Sequence, residues 1–155
     1  TRCQMYQGAA DWQQIASVVD AVAIPVIANG DIRCPDTALQ AIAASGAAGV
    51  MVGRGAQGRP WLLAQIGDVL ASRKMRPIPT IRERHALMRM HLDDMIAHYG
   101  PAAMRLARKH IAWYAHGLPG AAELRDCANH SADEARIFAA GKQLSVELHQ
   151  RVEAA

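Results

Sequence analysis

Ile24–Trp61 reads IPVIANGDIRCPDTALQAIAASGAAGVMVGRGAQGRPW, and the reading of this stretch decides the fold. It holds two short apolar runs, Ile24 to Ala28 and Gly49 to Val52, β-branched enough to form buried strands and each followed closely by glycine. Between them Pro35 and Asp36 open a helical pattern, Ala38, Leu39, Ile42 and Ala43 give it an apolar stripe, and Gly46 closes it. The order strand, loop, helix, strand, loop, helix predicts a parallel repeat. Strands in such a repeat are buried on both faces, which accounts for apolar runs that are continuous rather than alternating.

The chemistry then belongs to the loops. Asn29-Gly30-Asp31 follows the first strand, and Gly53-Arg54-Gly55 follows the second, with Gly58 just beyond. Glycine lets backbone approach a ligand, and successive N–H groups near a helix start form a concave anion site, to which Arg54 adds a positive charge. In a β/α barrel the last two strand-end loops are the usual phosphate-binding place. Pattern alone leaves open whether these glycines serve a phosphate or only tight turns.

The residues also resemble a known family. NGDI after a strand beginning IPVI, followed by GVMVGRGAQGRPW, is similar to the C-terminal part of the catalytic barrel of bacterial tRNA-dihydrouridine synthases. The opening TRCQMYQGAADW resembles the segment after that family's sixth strand, and RKHIAWY resembles a signature of its helical tail. The resemblance implies an α/β part followed by an all-α part: the C-terminal portion of a (β/α)8 TIM barrel, residues 1–76, joined to a small helical bundle, residues 77–155. It places Asn29, Gly30, Asp31, Gly53 and Arg54 on the FMN phosphate, and it implies NADPH as reductant and tRNA as partner. The family's catalytic cysteine comes from earlier strands. Cys3, Cys34 and Cys127 do not lie in its cysteine motif, so no catalytic residue is assigned here.

Composition bounds these expectations. The chain has 155 residues, 51% hydrophobic and 20% charged, which suits one or two small globular domains and excludes a disordered or fibrous class. Three widely spaced cysteines without CxxC suggest neither a disulfide framework nor a zinc site, and fit a reducing cytoplasm. No apolar run reaches the roughly 18 residues of a membrane helix. His85 and His91 are six residues apart, as are His110 and His116, which is off the spacing that puts two metal ligands on one helical face. Neither metal nor membrane is expected. Thr1 is not an initiator methionine and the resemblance begins in mid-barrel, so the chain reads as a piece of a longer protein. Without the N-terminal barrel half it is expected to be inactive.

Around this centre, Thr1 to Gly8 reads as a loop, with Arg2 as a weak phosphate candidate. Ala9 to Val22 reads as a helix with Trp12, Ile15, Ala16, Val19 and Val22 on one face. Arg59-Pro60 starts a helix through Leu70, and SRKMRPIP, Ser72 to Pro79, has no apolar periodicity and reads as a linker. Beyond it lie four helical patterns. Thr80 to Glu83 is a capping box, with Ile81, Met88, Leu92, Met95 and Tyr99 following. Further helices run from about Ala102 to His116 and from Pro119 to Asn129, and one opens at Ser131 with Ile137, Phe138, Leu144 and Leu148.

From Arg73 to Arg125 ten Lys and Arg stand against four acids, whereas the whole chain is only +3. Arg105, Arg108, Lys109 and His110 form the candidate RNA-binding patch, with Leu106, Ile111, Trp113 and Tyr114 as apolar body. A basic helical face suits a phosphate backbone. It also suits a solvated helix, and the resemblance favours tRNA. Two alternatives stand beside the enzyme: a non-enzymatic helical RNA-binding module, and another phosphate-binding TIM-barrel flavoenzyme.

Overall fold

The computed structural model describes residues 8–130 and Arg136, and the chain divides into two compact units between Pro77 and Ile78. The first unit is a small parallel sheet with helices; the second is built of helices and their connections among its described residues. The helix expected from Ser131, along with Arg2 and Cys3, lies outside the described residues.

In the first unit the order is α1 (Gln13–Ala21), β1 (Ile27–Asn29), α2 (Pro35–Ser45), β2 (Gly49–Met51), a 3-10 turn (Arg54–Ala56) and α3 (Trp61–Leu70). The strands pair in parallel, Ile27 beside Gly49 and Asn29 beside Met51, so both following loops leave the sheet at the same end. Helix α1 starts later than the apolar pattern suggests. Asp11 Oδ1 accepts the backbone N–H of Gln13 at 3.1 Å and so caps the helix. The residues just before it are committed elsewhere, Ala10 and Trp12 bonding to the β1 loop.

Helix α2 starts on a lock built by Thr37, whose hydroxyl accepts from Arg33 N–H at 2.9 Å and Cys34 N–H at 3.1 Å and donates to Cys34 C=O at 2.8 Å. It ends at Gly46 in the left-handed conformation (φ 66°), whose N–H reaches Ile42 C=O at 2.8 Å. Of the expected stripe Ala38 is buried, joined by Ala41 and Ser45, whereas Leu39 is exposed. Small side chains three and four residues apart let the helix approach its neighbours closely.

The core is Ile32, Ala38, Ala41, Leu62 and Ile66, with Trp12, Val50 and Val52 packed on it. Ala28 is also fully buried, so alternate strand residues face the helices. The other face is bare: Ile27 and Met51 are each 55% exposed, and Ile24 is also exposed. The expectation that the strands are buried on both faces therefore fails among the described residues, whose helices cover one face of the sheet.

The segment after α3 is a second correction. Asp68, buried on α3, accepts from Arg76 at three points, the backbone N–H at 3.1 Å, Nε at 2.7 Å and Nη2 at 3.0 Å, and lies 3.5 Å from Arg73. Gln65 Nε2 donates to Arg76 C=O at 3.1 Å. The stretch expected to be a free linker is thus a strap fastened to α3 as far as Arg76. Its hydrogen bonds to Arg76, with Arg73 nearby, depress the Asp68 carboxyl to about 2.

In the second unit α4 (Ile81–Tyr99) is opened by the expected capping box. Glu83 N–H donates to Thr80 Oγ1 at 3.3 Å, and Thr80 N–H to Glu83 Oε2 at 2.7 Å. A short 3-10 turn leads to α5 (Ala103–Ala115), followed by α6 (Ala121–His130). Met88, Leu92 and Met95 of α4 are buried, as are Ala103, Ala107, Ile111 and Tyr114 of α5 and Leu124 and Ala128 of α6, whereas Tyr99 reaches the surface. Helix α5 packs on both α4 and α6.

Candidate functional site

The strand-end loops of the first unit bring together residues far apart in sequence. Gly30 has φ 126°, and a Cβ there would fall 2.5 Å from Ala10 Cβ. Asp31 follows in the left-handed region at φ 51°, unusual for a residue with a side chain. Two contacts hold it there: Asp31 Oδ2 accepts Ala10 N–H at 2.9 Å, and the Trp12 indole N–H donates to Gly30 C=O at 2.9 Å. Asp31 Oδ1 accepts from Arg33 Nη2 at 2.7 Å and lies 3.8 Å from Arg54 Nη2 on the other loop. The Ala10 N–H, with Arg33 and Arg54, holds the Asp31 carboxyl below the usual carboxylate range.

The glycines of the second loop divide into two kinds. A Cβ on Gly55 would collide with Ile32 C=O and crowd Arg33 Cα, so this glycine lets the two loops touch. A Cβ on Gly53 would meet no atom within 4 Å. The same is true of Gly67 on α3, so close packing does not account for the glycine at either position. Arg59 Nη2 donates to Gly55 C=O at 2.9 Å and Arg33 C=O at 3.4 Å, tying the loops again.

The structure therefore joins Asp31 to Arg54 and places Gly53 beside Arg54 in an open position, while Asn29 is exposed at the end of β1. Asp31 uses its carboxylate on protein donors, and an anion would be repelled by it. Arg33, Gly55 and Arg59 were not singled out as site residues from the sequence. The pairing of Asp31 with Arg33 two residues on, and a second arginine five after Arg54, were the available signals.

On α5 the four basic candidates do not share one face. At 100° per residue, Arg105, Arg108 and Lys109 fall within about 100° of arc, and His110 lies about 100° beyond Lys109. Arg105 and Lys109 are exposed, whereas Arg108 is half-buried with its Nε lacking a hydrogen-bond partner among the described residues. His110 turns into a ring cluster, edge-on to His91 of α4 (centroids 4.8 Å) and to Trp113 (4.9 Å). His91 Nδ1 is 3.3 Å from the Tyr114 hydroxyl, and Lys109 Nζ sits 5.8 Å from the Trp113 ring centre. Burial, with His91 and Lys109 adding like charge, pushes the His110 imidazole down. Among the described residues no helix is long and apolar enough to cross a membrane, and no group of three metal-ligating side chains occurs.

Parallel strands joined through a helix, with arginine- and glycine-bearing loops at their shared end, place the first unit among β/α proteins, whose ligands bind beyond the carboxyl ends of the strands. Within that class the chain belongs to the dihydrouridine synthase (Dus) family, whose sequence model matches residues 1–153. It is 48% identical over 130 residues to a "Probable tRNA-dihydrouridine synthase" of Rickettsia prowazekii (strain Madrid E), covering 83% of this chain and 40% of that protein. A Rhodobacter capsulatus protein of the same name is 46% identical over 140 residues, covering 90% of this chain and 43% of its own length. The "tRNA-dihydrouridine synthase B" of Xanthomonas axonopodis pv. citri is 41% identical over 132 residues, covering 84% and 40%. The chain thus spans about two fifths of the length of these relatives.

Proposed function

We propose that this chain supplies the flavin-phosphate end of the barrel and the RNA-holding helical unit of a tRNA-dihydrouridine synthase, an FMN-dependent oxidoreductase of the cytoplasm that reduces uridine in tRNA with NADPH. The observation that carries this reading is the pairing of an open Gly53 with Arg54 and Asp31 at the carboxyl end of two parallel strands. These residues fit a phosphate monoester: backbone without a side chain in front of it, and guanidinium donors in a fork that matches phosphate oxygens. The chemistry FMN supplies when bound is hydride transfer between the nicotinamide and the C5–C6 double bond of uridine.

The roles of this chain's residues are binding and orientation. Gly53 admits the phosphate to the backbone, Arg54 donates to it, and Gly30 and Asp31 shape the neighbouring loop. In the second unit Arg105, Arg108 and Lys109 contact the RNA backbone, and this grip presents an extruded uridine to the flavin. His110 lies at the side of that stripe. The family match runs through both units, so neither an RNA-binding module with a remnant sheet nor an unrelated barrel enzyme has an observation in its favour.

The test is flavin retention in the intact protein. Gly53→Val and Arg54→Ala are each expected to weaken FMN binding, Arg54→Ala by about tenfold, as for a charge-assisted contact of about 1.5 kcal/mol. Unchanged flavin content in both variants overturns the assignment. The 155-residue chain alone, supplied with NADPH, FMN and unmodified tRNA, is expected to form no dihydrouridine.

A further inference from the structure

Arg33 is an exposed arginine, its side chain 67% accessible, yet its backbone is held at two points and its guanidinium at a third. Its N–H donates to Thr37 Oγ1 at 2.9 Å, its C=O accepts from Arg59 Nη2 at 3.4 Å, and its guanidinium donates to Asp31 Oδ1 at 2.7 Å. A surface arginine ordinarily keeps its rotamer freedom, and fixing one costs side-chain entropy. The same carboxylate oxygen draws Arg54 from the second loop at 3.8 Å, so two guanidiniums converge on one point. Asp31 is itself fixed, by its left-handed backbone and by the Ala10 N–H. The close packing of Gly55 on Ile32 and Arg33 sets the spacing of the two loops.

We infer that Arg33 is a second cation for the phosphate monoester that Arg54 binds, and that Asp31 is a positioning residue that aims both guanidiniums. The inference rests on the flavin-phosphate reading and extends it to a residue outside the NGD and GR motifs. Charge decides the stoichiometry. One guanidinium facing Asp31 is neutralised by it, whereas two leave a net positive charge for an anion that carries nearly two negative charges. Preorganised forks also lose little freedom when the phosphate arrives.

The experiment measures FMN, riboflavin and tRNA affinities of the intact protein and its variants. Arg33→Ala is expected to weaken FMN by about tenfold and leave riboflavin unchanged, with Arg33→Lys recovering part of the loss. Asp31→Asn provides a test of sign: it keeps an acceptor for Ala10 N–H but removes the charge that gathers the arginines. Simple repulsion predicts tighter FMN binding in Asp31→Asn, and positioning predicts weaker.

Weaker FMN binding with unchanged riboflavin in both Arg33→Ala and Asp31→Asn supports the inference. An Arg33→Ala variant that binds FMN like the parent, while Arg54→Ala does not, overturns it and leaves the functional reading standing. Equal losses of FMN and riboflavin would make Arg33 a structural residue, loss of tRNA alone would assign it to RNA, and tighter FMN in Asp31→Asn would end the positioning role. If Gly53→Val and Arg54→Ala both leave FMN untouched, the functional reading itself fails and the inference falls with it.

Discussion

In the first unit the cations at the strand ends are tied down: Arg33 and Arg54 face one carboxylate oxygen, and Arg59 is bonded to two backbone carbonyls. In the second unit Arg105 and Lys109 stand on an exposed helix face, with the Trp113 ring 5.8 Å from the Lys109 ammonium. The first arrangement suits one small anion in one geometry, because preorganised donors lose little freedom on binding. The second suits a long polyanion, where many screened contacts add and no single one must be exact. The difference teaches that charge count alone does not separate a site from a surface. What surrounds each cation does.

The sharpest way to break this contrast is to remove the helical charges together. The triple variant Arg105→Ala, Arg108→Ala, Lys109→Ala is expected to lose on the order of hundredfold in tRNA affinity at fixed salt, if each contact is worth about 1 kcal/mol. Its log–log salt slope should fall by about 2, with flavin content unchanged. A variant that keeps the parent's affinity and slope refutes the surface half of the comparison.

Next comes the glycine pair. Gly55→Val meets Ile32 and Arg33 backbone, so it is expected to destabilise the first unit by about 1–3 kcal/mol and to misplace Arg33. A Cβ on Gly53 meets no protein atom within 4 Å, so Gly53→Val should leave the thermal stability of the flavin-free protein near the parent's while still weakening FMN. Equal melting temperatures for the two variants would remove the distinction between a packed and an open glycine.

Asp68→Asn tests whether the strap is as fixed as the loops. Tryptic cleavage after Arg73 and Lys74 should quicken several-fold. Because the Asp68 carboxyl is depressed to about 2 when folded, its contribution is present above the ordinary carboxylate value and is lost as pH falls from about 4 through 2. The parent strap should therefore resist an acid-active protease at pH 4.

The smallest effect expected is at His110, whose imidazole is pushed down in the folded state. The unfolded chain takes up this proton more readily, so the stability the residue contributes is present above about 6.5 and lost as pH falls below it. Melting curves of His110→Gln between pH 8 and 5 should show a shallower acid decline than the parent's.

Much of this architecture was legible in the sequence because local chemistry set it. Pro35 and Gly46 bound α2, Thr80 and Glu83 cap α4, and the two apolar runs mark the strands, although β1 begins at Ile27, three residues into its run. Contacts between segments far apart in sequence were not legible. No periodicity says that Asp31 reaches back to Ala10, that Gly55 rather than Gly53 is the packed glycine, or that Asp68 fastens Arg76. The strap was missed because Gln65 and Asp68, polar residues on the buried side of α3, look from the sequence like interruptions of an apolar stripe. His110 was grouped with its basic neighbours by adjacency, whereas its place on the helix turns it toward His91 and Trp113.

The exposed face of the sheet, with Ile27 and Met51 in water, sets up a competition between reactions of different order. Covering that face with another part of the same polypeptide is unimolecular, and its rate does not depend on how much protein is present. Pairing it with a second copy is bimolecular, so its rate rises with the square of concentration. The sheet's two outer edges, unpaired among the described residues, add hydrogen-bonding groups to the second route. Dilution during refolding therefore favours the first outcome over the second, and light scattering as a function of protein concentration measures where the two cross.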